Sequence, residues 1–433
     1  MIEKNVTFKS YKNEDFTNAL KISVSANLGW GFELFDLVVY LYVTTTIAPL
    51  FFPSSSYIAS VLLFLGTLVL GYFARPIGAV FLGHFGDKIG RKSIWLVSLL
   101  GMGIATVSMG FLPTYAQVGV LATVLLIALR MSQGFFLAGE WGGGQTIVNE
   151  NSPQGLRGFF SGIQQGGAAL GLIFAVIANE IALYIAPGAA FSTIGWRIMF
   201  WFGAIPLAIA ILTRYKIRER IVFNAEKTVK FPIVDVFKKY YKFVIVGTLL
   251  LLGNGIIYYG EIAYMPTYLG LYTKLSAASI DLAVLVTNLV WLFSSPIAGY
   301  LSDRVRSRRA WISSIFIIMI ILAYPVILLL HSGYLPFVLF SGIILGLIIS
   351  FQYAVIPAFL SENSDSSVRY SFIAFSINLG VALSSFGPFL GTYLSTVMKN
   401  SVLGIVILVI ASSLAGFIAM MFSPRDNIDA ELN

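Results

Sequence analysis

One short segment, GHFGDKIGRK at residues 83–92, returns in altered form as GYLSDRVRSR at residues 299–308. Residue 299 follows residue 83 by 216 positions, which is half of the 433-residue chain. Each copy is charged and stands between two long apolar stretches. A charged loop that recurs after half the chain predicts a duplicated membrane unit, with the halves related by an axis along the membrane normal.

A second repeated spacing supports this duplication. Glu150 precedes Arg157 by seven positions, and Glu362 precedes Arg369 by the same number. One long polar segment separates the two halves. We predict an N-terminal six-helix bundle at residues 1–214, a cytoplasmic central loop at residues 215–242 and a C-terminal six-helix bundle at residues 243–433.

The composition is that of a chain surrounded mainly by lipid. Hydrophobic residues make up 58% and charged residues 11%, whereas soluble proteins carry roughly 25% charged residues. Crossing about 30 Å of hydrocarbon takes roughly 20 apolar residues in a helix, and long runs without alternation favour helices over barrel strands. Such apolar stretches lie near residues 22–50, 57–82, 93–112, 116–148, 158–185, 195–214, 243–270, 278–301, 310–331, 335–361, 369–397 and 401–423. We therefore predict an all-α membrane protein of twelve transmembrane helices in two pseudo-symmetric six-helix bundles.

The net charge of +8 is interpreted as a signal of orientation rather than of nucleic-acid binding. Of the 28 basic residues, 23 are predicted to lie on one side of the membrane. The other five are Lys274 and Lys399 in outer loops, Arg75 and Arg130 within spans, and Arg197 at an outer helix end. Basic residues collect on the cytoplasmic side of a membrane. We therefore predict a multi-pass protein of the cell (cytoplasmic) membrane with both termini in the cytoplasm.

Residue counts disfavour several classes of chemistry. The chain has no cysteine and only two histidines, His84 and His331, so thiol chemistry and a histidine metal site are not expected. No cofactor fingerprint is present in the sequence either. We therefore expect no metal, no cofactor and no enzymatic activity.

Several motifs resemble those of a transporter family. The loop at residues 83–92 resembles the signature of the major facilitator superfamily, with Gly83, Asp87, Gly90, Arg91 and Lys92 in place. Four stretches are similar to the metabolite:proton symporter family within it: ARPIGAVFLGHFGDKIGRK (74–92), RMSQGFFLAGEWGGG (130–144), GWRIMFWFGAIP (195–206) and GWGFELFDLVVY (29–40). The resemblance is close in the amino half and looser in the carboxyl half, where Arg306 replaces a loop glycine and puts that tight turn in doubt.

This resemblance implies proton-driven transport of small carboxylates, betaine-like zwitterions or cyclic hydroxy acids. It also implies a cytoplasmic gate that holds the outward-open state through charge-assisted hydrogen bonds. The residues expected in this gate are Gly83, Asp87, Gly90, Arg91, Lys92, Glu150, Arg157, Asp303, Glu362 and Arg369. The alternative interpretation is that these charges only set topology or solvate helix ends.

Charged residues inside the spans are the sharpest functional signal. Each costs about 2.5–3.5 kcal/mol on insertion scales, so it normally faces a cavity and has a partner. Glu33 and Asp36 lie on one face of the first helix, and Asp36 and Arg130 fall near mid-membrane. Arg75 and Glu140 fall nearer the cytoplasmic third. We predict two pairs, Asp36 with Arg130 and Arg75 with Glu140, with Glu33 beside the first pair.

These groups are candidates for proton coupling, with Asp36, Glu33 and Arg130 in that role. A coupling carboxylate must exchange its proton near neutral pH, whereas a free one titrates at about 4. Burial and a second carboxylate raise a carboxyl pKa in general, and an arginine lowers it. A carboxylate cluster can therefore take up a proton when its arginine turns to a substrate anion. The alternative is a buried salt bridge that only orients helices.

Buried polar residues on the later helices are candidates for contacts with a substrate. The expected substrate-binding residues are Arg130, Gln133, Gln164, Gln165, Asn254, Tyr258, Tyr259, Gln352 and Asn378. For each of the tyrosines, simple packing is an equally good explanation. As a set they provide the few convergent polar groups within apolar walls that a mid-membrane site needs.

The leading prediction is a proton-coupled secondary active symporter that takes up a small organic anion or zwitterion by alternating access. Its partners are a small-molecule substrate, protons and the lipid bilayer, without nucleic acid, and the protein is expected to be monomeric. The main alternative is a facilitator or proton symporter of a neutral sugar or polyol. A drug:proton antiporter is less favoured because SGIQQGGAALG (161–171) lacks the Gly-Pro pair of such proteins. A nutrient receptor is less favoured because the tails and central loop are short.

Overall fold

The structure is a computed structural model that describes residues 13–89, 91–138, 141–205, 207–208, 211–212, 238, 240–364, 369–399 and 402–428. The side chains of residues 13–14, 80, 83–89, 91–95, 141–143, 260–261 and 370–371 are not part of this description. The predictions for Gly90 and Glu140 therefore lie outside the described residues. So do the side chains of Asp87, Arg91 and Lys92 and most of the predicted central loop.

Every regular element in the described ranges is helical. The α-helices, numbered in chain order, are α1 (Asn13–Phe51), α2 (Tyr57–Ile89), α3 (Arg91–Met109), α4 (Tyr115–Val118), α5 (Val120–Leu137), α6 (Trp141–Asn151), α7 (Arg157–Gln165), α8 (Gly167–Ile185), α9 (Gly195–Phe202), α10 (Tyr241–Ile257), α11 (Met265–Tyr272), α12 (Ala277–Val305), α13 (Arg308–His331), α14 (Leu335–Tyr353), α15 (Ile356–Glu362), α16 (Arg369–Ser384), α17 (Phe386–Val397) and α18 (Leu403–Met421). A 3₁₀ turn at Gly188–Ser192 precedes α9, and a π-turn at Tyr258–Ile262 joins α10 to the segment before α11.

The helices follow the order of the predicted spans. In the described part of the chain, nine helical stretches are long and apolar enough to cross a membrane. Two shorter apolar helices, Leu96–Met109 and Tyr241–Ile257, lie where the third and seventh spans are expected. Helix α9 begins the sixth expected span, whose remainder is only partly described. The helix order therefore agrees with twelve spans, several of which consist of two consecutive helices.

The two halves share one packing arrangement. In the N-terminal half α1 packs on α8, and α5 packs against both α2 and α3. In the C-terminal half α10 packs on α16, and α14 packs against both α12 and α13. Counted from the start of each half, these are the same pairs of spans: the first with the fifth, and the fourth with the second and third. The packing supports the duplication that the repeated loops predict, while the residue boundaries of the two halves stay predictions.

Close helix contacts in the N-terminal half depend on glycine. A Cβ atom added at Gly31 would lie 2.9 Å from the carbonyl oxygen of Gly167, and one added at Gly134 would overlap with the backbone of Gly71. Small residues allow transmembrane helices to approach this closely. The α1–α8 and α2–α5 contacts thereby bring the charged residues of α1, α2 and α5 into one region of the interior.

The two halves meet along two lines, where α7 and α8 contact α12 and where α2 contacts α16 and α17. The end of the molecule that carries Glu150, Asp303 and Arg369 is called the inner face. The positive-inside rule predicts that this end is cytoplasmic. At this face Asn149 Nδ2 donates across the boundary to Ser361 Oγ at 2.8 Å. The opposite end is called the outer face.

The halves also contact each other at the outer face. Asn179 Nδ2 donates to Asp281 Oδ2 at 2.8 Å, and Thr267 Oγ1 donates to the carbonyl oxygen of Leu41 at 2.5 Å. Both bonds join the N-terminal half to the C-terminal half. With contacts at both faces, the structure encloses the centre of the molecule on both sides.

The second copy of the repeated loop contains a left-handed residue. Arg306 ends α12 with φ 57° and ψ 22°, and it occupies the position of Gly90 in the first copy. Glycine usually takes this position after a helix because a Cβ atom disfavours the left-handed conformation. The turn that the arginine put in doubt is therefore formed, with the arginine itself in the conformation that glycine prefers.

Replacing Arg306 with glycine should remove this backbone strain. We expect Arg306→Gly to leave the free energy of unfolding unchanged or to raise it by up to about 1 kcal/mol. The matched control Arg304→Gly, in the last turn of α12, should lower it by about 1 kcal/mol because glycine disfavours a helix interior. Thermal unfolding in detergent measures which of the two variants is the less stable. Equal destabilisation by the two changes would contradict the assignment of strain.

Candidate functional site

The charged residues of α1 and α5 form a buried ion pair. Arg130 Nη1 lies 3.6 Å from Asp36 Oδ2, and the residues are 3% and 1% exposed. Arg130 Nη1 also donates to Gln133 Oε1, and Gln133 Nε2 donates to Thr106 Oγ1 at 2.9 Å. The predicted pairing of Asp36 with Arg130 is therefore present, and Gln133 helps to orient the guanidinium.

An aromatic ring covers one face of this arginine. The guanidinium carbon of Arg130 lies 3.3 Å from the centre of the Tyr40 ring, which is a cation–π arrangement. The Tyr40 hydroxyl is held in turn by Thr67 and by the carbonyl oxygen of Phe64. All these groups come from α1, α2 and α5, so the described partners of the pair lie in the N-terminal half.

A second buried pair joins α2 to α1. Arg75 Nη1 lies 2.9 Å from Glu33 Oε1, and both side chains are fully buried. The structure therefore joins Arg75 to Glu33, whereas the predicted pairing of Arg75 with Glu140 stays a prediction, because Glu140 lies outside the described residues. Arg75 Nε also donates to Asn378 Oδ1 of α16 at 2.9 Å, and Asn378 Nδ2 donates to the carbonyl oxygen of Ala374. The second pair therefore extends across the boundary between the halves.

Aromatic side chains surround the second pair. The ring of Tyr72 lies 5.3 Å from the guanidinium carbon of Arg75 and 5.3 Å from the ring of Tyr259 in the C-terminal half. Tyr258 contacts the rings of Tyr259, Trp291 and Tyr353, at centroid distances of 4.8, 5.5 and 6.3 Å. We call this group of five rings the aromatic wall. It lines the boundary between the halves next to Arg75.

The predicted substrate-binding glutamines and asparagines form separate groups. Asn254 Nδ2 donates to Gln352 Oε1 at 2.9 Å, so this predicted pair of the C-terminal half is in contact. In the N-terminal half, Gln165 Nε2 donates to Gln145 Oε1 at 2.9 Å. Gln164 is buried beside it at 1% exposure. The set predicted as one site is therefore distributed over both halves, with Asn378 linked to Arg75.

Several buried polar atoms near the centre lack a hydrogen-bond partner among the described residues. They are Arg75 Nη2, Arg130 Nη2, Tyr258 Oη, Gln352 Nε2 and Gln164 Oε1. Buried polar groups in proteins almost always have partners, so these donors and acceptors are available to a bound water, ion or ligand. The closed centre therefore has the hydrogen-bonding capacity of a binding site for a small polar molecule.

A network of charges occupies the inner face. Arg308 is fully buried, and its Nη2 lies 2.6 Å from Asp303 Oδ1 and 3.0 Å from Glu362 Oε1. Arg308 Nε donates to the other oxygen of Glu362 at 3.2 Å, which makes that contact bidentate. Asp303 also accepts the backbone N–H groups of Gly158 and Phe159, at 2.9 and 3.0 Å. Since these N–H groups begin α7, the carboxylate caps a helix of the other half.

Two further contacts cross the inner face. Arg369 Nη1 lies 3.1 Å from Glu150 Oε1, and Arg157 Nη1 donates to the carbonyl oxygen of Ile428 at 3.3 Å. The predicted residues Glu150, Arg157, Asp303, Glu362 and Arg369 are thus all at one end of the molecule. Among the described salt bridges at this face, that of Glu150 with Arg369 joins the two halves, whereas those of Arg308 with Asp303 and Glu362 lie within the C-terminal half.

Sequence reasoning missed two residues of these networks. Arg308 is the last residue of the second loop copy, at the position of Lys92 in the first, and that correspondence could have identified it. Tyr72 precedes Arg75 by three positions and therefore shares its helix face. Among the described residues, no group of three His, Cys, Asp or Glu side chains could hold a metal ion.

Comparisons with known proteins agree with this geometry. A family model described as Major Facilitator Superfamily matches residues 31–385. The chain is 31% identical to the inner membrane metabolite transport protein YhjE of Escherichia coli, over 87% of this chain and 88% of that protein. It is 28% identical to the proline/betaine transporter of Escherichia coli, over 92% and 82% of the two chains. Among solved structures it resembles the D-xylose-proton symporter, with a TM-score of 0.73 and 15% sequence identity. The match covers 94% of this chain and 98% of that one. This last likeness is one of fold.

Proposed function

Because the chain belongs to the major facilitator superfamily, we propose that it is a proton-coupled symporter that takes up a small organic anion or zwitterion. The family confirms the predicted fold class and a multi-pass membrane transporter of small molecules rather than an enzyme. Proton coupling, the class of substrate, the monomeric state and the cytoplasmic position of both termini are proposals or predictions beyond this.

The proposal rests on the two buried ion pairs, Asp36–Arg130 and Glu33–Arg75, in the closed centre. Glu33, Asp36, Arg75 and Arg130 are each at most 3% exposed, although an ionisable residue at this depth is costly. An arginine offers bidentate geometry to a carboxylate. A neighbouring carboxylate that exchanges a proton can compensate the charge of an incoming anion. The two arginines with unpartnered Nη2 atoms support an anionic group on the substrate.

The names of two relatives are consistent with this proposal. One is a metabolite transport protein and the other a proline/betaine transporter. Proline and betaine each carry a carboxylate together with a positively charged nitrogen. A site with arginines on one side and an aromatic wall on the other is chemically compatible with such a molecule. Asp36, Glu33 and Arg130 are the candidate residues for proton coupling in this proposal.

Transport by purified protein in proteoliposomes tests the proposal. Radiolabelled proline, glycine betaine, succinate and xylose are offered with the outside more acidic than the lumen, with and without an uncoupler. We expect accumulation of at least one carboxylate-bearing compound above its equilibrium level, and collapse of that accumulation with uncoupler. Replacement of sodium by potassium in the buffer should leave the result unchanged, and protein-free liposomes give the background. Uptake of xylose alone, or equilibration without accumulation, would support a facilitator or a carrier of neutral solutes instead.

A further inference from the structure

The two buried ion pairs differ in the helices around them. The partners described for the Asp36–Arg130 pair all belong to the N-terminal half. The Glu33–Arg75 pair instead reaches Asn378 of the C-terminal half through a 2.9 Å hydrogen bond. Among the contacts of the described residues, the second pair is therefore the one that reaches both parts of the molecule that move in alternating access.

A transported molecule has to contact both halves, because the halves move against each other around a site between them. Arg75 lies at that boundary, and its Nη2 has no hydrogen-bond partner among the described residues although the side chain is fully buried. Nη2 of Arg130 also lacks a described partner. That guanidinium, however, lies inside the N-terminal half with one face covered by Tyr40 at 3.3 Å. Position at the boundary favours Arg75 as the contact for the substrate.

We propose that Arg75 binds the carboxylate of the substrate and that Glu33, displaced from Arg75 by this carboxylate, binds the coupling proton. The Asp36–Arg130 pair is then structural and positions α1 against α5. The inference rests on the proposed function and assigns its binding and coupling roles to single residues. It departs from the sequence-based expectation, in which Arg130 contacts the substrate and Asp36 shares the coupling role.

Charge balance explains why the substrate and the proton move together. Without substrate, Arg75 and Glu33 neutralise each other in a buried site. A substrate carboxylate that entered without a proton would place two carboxylates beside one arginine, which is costly in a low-dielectric environment. When a proton from the outer solution forms an O–H bond on Glu33, Arg75 again faces a single carboxylate, that of the substrate, while the cationic nitrogen of a zwitterion lies apart from this pair, against the aromatic wall. One proton is therefore carried with each substrate carboxylate.

The aromatic wall limits the rest of the substrate. Tyr72 and Tyr259, whose rings are 5.3 Å apart, come from different halves and stand beside Arg75. Aromatic faces bind apolar groups and also cations such as quaternary ammonium. In the described residues around Arg75, no second arginine from the C-terminal half is positioned for another carboxylate. The site therefore fits a small monocarboxylate with a compact apolar or cationic remainder better than a dicarboxylate.

The matched variants Glu33→Gln and Asp36→Asn distinguish the two pairs in proteoliposomes. We expect Glu33→Gln to lose accumulation of proline and glycine betaine against a gradient while it still exchanges labelled for unlabelled compound. Asp36→Asn should lower the thermal stability of the protein, yet its remaining uptake should still collapse with uncoupler. Glu33→Asp keeps a carboxyl group and should restore coupled uptake, which excludes a general folding defect as the cause.

A spectroscopic measurement reads the protonated group directly. Infrared spectra of the reconstituted protein show the C=O band of each carboxylic acid that gains a proton as the pH is lowered or as glycine betaine is added at constant pH. We expect the band that appears in the wild type to be missing in Glu33→Gln and present in Asp36→Asn. The reverse pattern would assign the proton to Asp36.

Lysine substitutions test the binding role. Arg75→Lys should raise the KM for glycine betaine about tenfold or more, because a bidentate charge-assisted contact is lost. Arg130→Lys should lower thermal stability, and it should raise the KM less than Arg75→Lys does. If the wild type accumulates none of the carboxylates offered, the proposed function fails and this inference with it. If the wild type accumulates them but Asp36→Asn loses coupling, or Arg130→Lys has the larger effect on KM, only this assignment is overturned.

Discussion

Replacing Arg308 with methionine is expected to lower the free energy of unfolding by about 3–5 kcal/mol. The guanidinium is fully buried and lies 2.6 Å from Asp303 and 3.0 Å from Glu362. Methionine fills much of the same volume without a charge, so Arg308→Met leaves two buried carboxylates without their nearest positive group. Removal of one partner from a buried ion pair costs more than the pair contributes, because the remaining charge is not solvated. Thermal unfolding of the purified protein in detergent measures the loss.

The adjacent arginine provides the control. Arg309 is only partly buried and donates one hydrogen bond to the carbonyl oxygen of Met421, so Arg309→Met should change stability by about 0.5 kcal/mol or less. Addition of Glu362→Gln to Arg308→Met should recover part of the loss, since it removes one unpaired charge. Equal destabilisation by the two arginine variants, or no recovery in the double variant, would show that the inner network does not stabilise this closed state.

The fold could be predicted from the sequence because its determinants are local. The length of each apolar stretch requires a helix across the membrane, and the repeated loop at residues 299–308 identifies the duplication. The breaks inside several spans could not be predicted in the same way. The π-turn at Tyr258–Ile262, for example, follows α10 without a proline in that segment, and the apolar pattern of the span does not mark it.

The charged centre was predicted in part. Depth along straight helices brought Asp36 and Arg130 together correctly. The same reasoning paired Arg75 with Glu140, which lies outside the described residues, and did not predict the contact of Arg75 with Glu33. Glu33 lies three residues, about 4.5 Å, closer to the predicted inner face than Asp36. That is the depth at which Arg75 was expected. This contact was missed because Glu33 was grouped with its sequence neighbour on α1 rather than with the arginine at its own depth.

The contacts between the halves could not be derived from sequence spacing. Glu150 and Arg157 are seven residues apart, as are Glu362 and Arg369, yet Glu150 bonds Arg369 across the boundary. These contacts exist only while the inner face is closed. Closure is a property of one conformation, whereas the sequence is common to all of them. The same holds for the bond between Arg75 and Asn378.

Replacing Gly299 with valine is expected to open the inner face. A Cβ atom at Gly299 would overlap with the backbone of Gly158 in the other half, and that backbone cannot move aside without separation of α7 from α12. Overpacking of this kind costs about 1–3 kcal/mol, which shifts a two-state equilibrium by about 5- to 150-fold toward the inward-open state. Alkylation of Ser361→Cys, which is buried at the inner face beside Asn149, reports the opening. Since the chain has no cysteine of its own, all labelling comes from the reporter.

A second reporter distinguishes opening from unfolding. Thr267→Cys lies at the outer-face contact with Leu41, and alternating access requires this contact to stay closed while the inner face opens. We therefore expect Gly299→Val to accelerate labelling at position 361 and not at position 267, whereas a misfolded protein would label faster at both. Gly66→Val is the matched control, because a Cβ atom at Gly66 meets nothing within 4 Å. An equal effect of Gly66→Val, or faster labelling at both positions, would mean that the α7–α12 contact does not control access to the centre.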